Sequence, residues 1–368
     1  MDVLKGIIIT VIVLAHLLLV NETGGAEGGG GKATFGSFPI ILQSMYLGLM
    51  GYLILSGYFY RPRGFKTNMA KRLKQILVAV ALASIILSLI LWIYLNVLGY
   101  DLPIMDYVAS VLTTFGLNYT GMSGMLTNVN NGSYFLVGML WGFLIFYALA
   151  DRILDDWRKI ILIIILLLIL QIVVVDYLTM KLPFLIKFGP IDAAFMFAGA
   201  GLAKLKFLEN MEYGDKRKLM YWILPIVCLI AGVALCYLSP PGIGYQSLRF
   251  GPYGSISIFP YFIESMLMFV PIAYIGFIFS KIPLVSSLFN SLGKHTMGLI
   301  LLHVAVGKIL VTAFGYQLRP SVIVPNAVQF PTDLVIAILT MAICLVICIL
   351  IPVVLAKLKG MMGSKTVE

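Results

Sequence analysis

Ten long apolar runs, separated by short polar connectors, frame this chain. They fall near 3–20, 38–59, 75–98, 133–150, 159–176, 184–203, 219–238, 256–280, 295–314 and 333–356. Each approaches or exceeds the roughly 20 residues that a helix needs to cross a bilayer core. The run at 104–117, IMDYVASVLTTFGL, is too short to span and reads as interfacial or re-entrant. The pattern predicts an all-α polytopic membrane protein with about ten transmembrane helices. No repeat or composition break divides it, so residues 1–358 form one transmembrane domain and 359–368 a short tail.

Composition sharpens this reading. Only 11% of the 368 residues are charged and mean hydropathy is +1.01, whereas soluble domains carry about 25% charge. Basic residues then set the orientation, because cytoplasmic loops collect Lys and Arg. With the N-terminus inside, Lys5, the loops 61–74, 151–159, 204–218 and 281–294, and the tail hold twenty of the 26 Lys and Arg. Both termini are therefore expected in the cytoplasm. The net charge of +10 reads as topology and contact with anionic lipid, not as a nucleic-acid surface. The four cysteines all fall inside apolar runs and suggest neither a metal site nor a disulfide framework. A basic residue before an apolar run also resembles a signal peptide, but nine further spans follow, so the first run is expected to stay as a span.

Ionisable side chains inside such runs are costly and mark function by default. The first run, MDVLKGIIITVIVLAHLLLV, holds Lys5 near its inner end and His16 deep within it. Eleven residues return a helix to nearly the same face, roughly 16.5 Å further along its axis. Asp2 lies one turn before Lys5 and can pair with it. The outer loops at 21–37, 99–132 and 239–254 are rich in glycine, asparagine and aromatics. They suit a hydroxylated ligand such as a carbohydrate, or serve only as solvated connectors.

Four stretches, in order, resemble the integral-membrane acyltransferase family 3. They are DVLKGIIITVIVLAH, with a basic residue and a histidine eleven positions apart; GLMGYLILSGYFY, with Ser56-Gly57-Tyr58 matching an SGY signature ahead of the basic KRLKQIL; FMFAGAGLAKLKF at 195–207; and SLGKHTMGLILLH at 291–303. Ile300 stands where the last pattern usually has tyrosine, and Tyr134-Phe135 where a Trp-Phe pair is common.

The resemblance implies transfer of an acyl group, acetyl or succinyl by analogy, from cytosolic acyl-CoA to a hydroxyl of a glycan or lipid-linked sugar outside a prokaryotic plasma membrane. His16 would be the general base, with an acyl-histidine as the lesser variant, and Glu264 a carboxylate that orients it. Lys5, Arg61, Arg63, Lys71, Arg72, Ser56 and Tyr58 would hold the CoA donor. Asn131, Tyr134, Asp192 and His303 would line the acceptor site, and no metal is expected. Plainer roles stand beside each of these. Lys5 can snorkel to headgroups, the basic loop can serve topology alone, Ser56-Gly57-Tyr58 can serve helix packing, and the histidines can bond to neighbouring backbone. A transporter or flippase for a lipid-linked sugar is the main rival function, weakened by the absence of paired broken helices. A binding-only accessory subunit is the second. A homodimer is left open.

Overall fold

The computed structural model describes residues 2–18, 50–115, 117, 131–177, 183–213, 219–238, 257–313, 335 and 338–350. All regular structure among them is helical. In chain order the helices are α1 (Asp2–Leu18), α2 (Gly51–Tyr58), α3 (Phe65–Val97), α4 (Ile104–Thr114), α5 (Asn131–Ile153), α6 (Trp157–Tyr177), α7 (Gly189–Lys204), α8 (Phe207–Tyr213), α9 (Leu219–Leu238), α10 (Ile258–Ser280), α11 (Pro283–Lys294) and α12 (Thr296–Ala313). A short 3-10 turn, Pro183–Phe188, leads into α7. Five helices among the described residues are long and apolar enough to cross a membrane: Phe65–Val97, Phe135–Ile153, Trp157–Val174, Ile186–Lys204 and Ile258–Ser280. The apolar stretches of α4, α9 and α12, and Ile338–Leu350, are shorter, and α1 has 17 residues.

Two helices form the interior. α7 is buried without interruption from Gly189 to Ala200 and contacts α2, α5 and α6. α1 buries Val3, Leu4, Ile7, Ile8, Ile9, Ile12 and Val13 and contacts α10, α11 and α12. An apolar helix covered on most sides belongs in a core. α3 and α6 instead expose stripes of Leu82, Ile85, Ile86, Leu89, Ile90 and Ile161, Leu162, Ile165, Leu166, Ile169. Contiguous apolar surface on this scale suits hydrocarbon.

Glycines set the closest helix crossings. A Cβ placed on Gly57 would strike the Met196 carbonyl oxygen, and one on Gly199 would strike that of Ile54. The two contacts are reciprocal and fix an antiparallel register between α2 and α7. The same geometry recurs where Gly6 meets the backbone of Phe289, and Gly293 that of Asp2, locking α1 to α11. Small residues let membrane helices approach this closely, where dispersion and hydrogen bonding replace the hydrophobic drive.

Several polar groups inside the bundle bond to backbone or to one another. Gln171 donates to the Lys187 carbonyl at 2.8 Å and accepts from the Ile191 amide at 3.1 Å, which satisfies an amide at the start of α7. Ser88 and Ser110 bond at 3.0 Å, and Ser84 and Thr114 at 3.3 Å, tying the short α4 to α3.

Candidate active site

The loop after α2 turns back into α3 at Gly64, whose φ of 77° lies in the left-handed region that glycine adopts freely. Asn68 holds the turn through the Arg61 carbonyl at 3.3 Å. The fold thereby places Arg61 and Arg63 opposite Lys71 and Arg72 on the first turns of α3. Together with Ser56, Tyr60, Gln75 and Tyr147, these residues line a cavity of about 320 Å³. Five of the seven residues expected at a CoA donor site thus share one cavity.

Arg72 is held ready within it. Its Nε donates to the Tyr147 hydroxyl at 3.2 Å, and its guanidinium sits 4.7 Å from the centre of the Phe143 ring. Stacking and a side bond of this kind limit the freedom that arginine loses on binding an anion. The Tyr60 ring stacks on Tyr147, with centroids 5.8 Å apart, and its hydroxyl donates to Asp151 at 2.8 Å. Burial first, and then the bond to Asp151, raise the Tyr60 hydroxyl well above the usual tyrosine range, so it stays a donor at any working pH. Nothing in the sequence singled out Tyr60, Tyr147 or Phe143, since aromatics in apolar runs look like ordinary packing.

The other two residues expected at the donor site lie apart from this cluster. Tyr58 accepts from the Leu208 amide at 2.9 Å and donates to the Glu209 carboxylate. It belongs to a second cavity, of about 350 Å³, between α1, α2, α8 and α10. Lys5 lines neither cavity. Its ammonium pairs with Asp2 at 3.3 Å, as expected from their spacing, and Tyr52 donates to its carbonyl at 2.7 Å. Three consecutive residues of α2 therefore face three neighbours: Ser56 the basic cavity, Gly57 the α7 backbone and Tyr58 the short helix α8.

Deeper in the bundle, α1 is helical through His16; the His16 side chain lies outside the described residues, as do those of Asn131 and Tyr134. Depth can still be read from backbone register. Leu4 borders Gly276, and Ile8 and Phe269 both border Gly51, so α1 and α10 run antiparallel with these pairs at matching levels. His16 lies twelve residues from Leu4, and Glu264 twelve from Gly276, each about 18 Å along its helix. The two therefore sit within about one turn of the same depth. Glu264 is fully buried and lies beside the Cys236 thiol. No partner within strict hydrogen-bond geometry is present for its oxygens or for Ser265 Oγ among the described residues.

Asp192 is fully buried in the first turn of α7, against Gly142 of α5. A carboxylate there also complements the helix N-terminus. His303 is buried on α12, with Nδ1 2.9 Å from the Leu299 carbonyl oxygen. A carbonyl can only accept, so Nδ1 carries the proton in this arrangement. No cluster of three or more His, Cys, Asp or Glu side chains that could hold a metal occurs among the described residues.

The family model for an acyltransferase domain matches residues 1–356, nearly the whole chain. Neither the curated proteins nor the solved structures contain a match. The match agrees with the order of the four motifs, with the helical fold and with the membrane-spanning helices. This chain belongs to the acyltransferase 3 family of membrane acyltransferases.

Proposed function

We propose that the protein transfers a short acyl group from cytosolic acyl-CoA to a hydroxyl of a glycan or lipid-linked sugar on the far side of the plasma membrane. The observation that carries this reading is the convergence of Arg61, Arg63, Lys71 and Arg72 on one cavity, at the end of the bundle opposite His16. CoA carries three phosphates, and clustered guanidinium and ammonium groups are their natural partners. A ten-span topology with both termini inside puts this cavity in the cytoplasm.

The chemistry follows from the same arrangement. The acceptor oxygen attacks the thioester carbonyl carbon while the His16 imidazole takes its proton. The carbon–sulfur bond then breaks, and the proton passes to the departing sulfur, leaving an ester and free CoA thiol. Such a base must start from the neutral imidazole. Glu264, at nearly the same depth, would orient the ring. Asn131, Tyr134, Asp192 and His303 are the proposed acceptor contacts.

Release of free thiol from acetyl-CoA by the purified protein in nanodiscs tests this reading. The expected result is a basal rate stimulated by a mixture of sugars. In Arg72→Ala, loss of one charge-assisted contact should raise KM for acetyl-CoA about tenfold with kcat changed far less. Lys5→Ala should shift KM in the same direction by a smaller factor. Absence of thiol release, together with absence of acetyl-CoA or succinyl-CoA binding, would overturn the proposal and favour a sugar transporter.

A further inference from the structure

The two cavities at the cytoplasmic end share one wall. Phe59 lines both of them and is 48% exposed. On one side the lining is basic and polar. On the other it is mostly apolar: Val3 and Leu4 of α1, then Ala273, Gly276 and Phe277 of α10, under the short helix α8. Polar atoms enter this second cavity at Tyr58, Glu209 and Ser280. The first cavity has four basic side chains, whereas among the described residues none lines this one. Its volume fits a slim organic chain, within the range of small-molecule sites.

We infer that the second cavity is the site for the amide-bearing arm of the thioester donor, which bends over Phe59 while its phosphates stay in the basic cavity. This rests on the acyl-CoA reading above and adds a path to it. The arm of CoA is mostly aliphatic, with two amides and a hydroxyl, which matches apolar walls carrying a few acceptors. Glu209 and the Tyr58 hydroxyl are placed to receive amide hydrogens. Val3 and Leu4, in the first turn of α1, line this cavity, so an arm lying there touches the same helix that carries His16 toward its far end. The basic cavity is lined by residues of α3 and α5 and by none of α1 among the described residues.

The roof of this site has its own structure. Lys206, between α7 and α8, has a φ of 49°, an uncommon conformation for a residue with a side chain. The strained link lets α7 stop and α8 fold back over α10, where α2 ties it down through Tyr58 to Leu208 and Glu209. Tyr58 therefore fixes the ceiling height of the cavity as well as offering a polar contact.

Two exposed reporter positions test the path in the full-length protein in nanodiscs. Gln75→Cys reports on the basic cavity and Ser280→Cys on the second. Each is labelled with a charged maleimide, with the unsubstituted protein as baseline for the four native cysteines. The competing probes are S-methyl-CoA, which has no free thiol, and 3′-phosphoadenosine 5′-phosphate, which lacks the arm. At ten times its Kd, S-methyl-CoA should slow labelling at both positions about tenfold. The armless nucleotide should slow labelling at Gln75→Cys only. Protection by S-methyl-CoA at Gln75→Cys without protection at Ser280→Cys would overturn the inferred path while leaving the donor reading intact. Equal protection of Ser280→Cys by both probes would overturn it too, since the cavity would then respond to the nucleotide. Protection at neither position would remove the donor reading itself.

Discussion

Replacing His16 by alanine is expected to lower acyl transfer by about 10²–10⁴-fold, the usual contribution of a positioned general base. The fold should survive, because α1 is held through its first half. Gly6 and Gly293 fix its crossing with α11, and Leu4, Ile8, Ile9 and Val13 are buried in the core. KM for acetyl-CoA should stay within about twofold, since the basic cavity proposed for the phosphates lies some 16 Å or more away. The same split separates a base from a structural histidine. A structural role would lower thermal stability and both kinetic constants together. Steady-state thiol release measured beside a melting curve distinguishes the two.

The second large effect concerns the α2–α7 crossing. Gly57→Leu should be among the most damaging single substitutions in the chain, because its side chain would enter the backbone of α7 at Met196. Overpacking in a well-packed interior costs about 1–3 kcal/mol when side chains can yield. Here the obstacle is a main-chain carbonyl on a helix buried from Gly189 to Ala200, so the cost should lie at or above the top of that range. Gly199→Leu should behave alike, since Gly199 faces Ile54 in the reciprocal contact. A substitution at Gly64, where nothing lies within 4 Å of an added Cβ, meets only the strain of its positive φ. A fall in the detergent melting temperature of several degrees for Gly57→Leu and Gly199→Leu, and a smaller one for Gly64→Ala, is the expected order. Wild-type melting in Gly57→Leu would show that α2 and α7 do not meet in this register.

Much of this was legible in the sequence, for reasons that differ from residue to residue. Long apolar runs announce membrane helices whatever their neighbours, so the positions of α3, α5, α6, α7 and α10 followed from hydropathy. The cluster of Arg61, Arg63, Lys71 and Arg72 was visible because the four lie within twelve positions, and a short turn must bring them together. Gly57 and Gly293 stood out through motif spacing, and the structure supplies their cause in backbone contact. Other features depend on pairs distant in sequence, and no local pattern reveals them. Tyr58 meets Glu209 across 151 positions, and Arg72 meets Tyr147 across 75. Gln171 satisfies the start of α7 from 20 positions away, through the Ile191 amide. The resemblance placed Tyr58, as part of the SGY signature, with the donor residues. Helix geometry turns it by about 100° per residue, so it faces a different cavity from Ser56 two positions earlier.

The central claim is that an acyl group crosses from a donor on one face to an acceptor on the other. Sealed proteoliposomes sorted for one orientation test it most directly. Acetyl-CoA labelled in the acetyl group is supplied only on the face that carries the basic cavity, and a sugar mixture is enclosed on the opposite side. The predicted result is labelled, esterified sugar inside, an equal amount of free CoA thiol outside and no labelled acetyl-CoA inside, with the ester and the free thiol both lost in His16→Ala. Label that never reaches the enclosed sugar, with acetyl-CoA left intact outside, would contradict it.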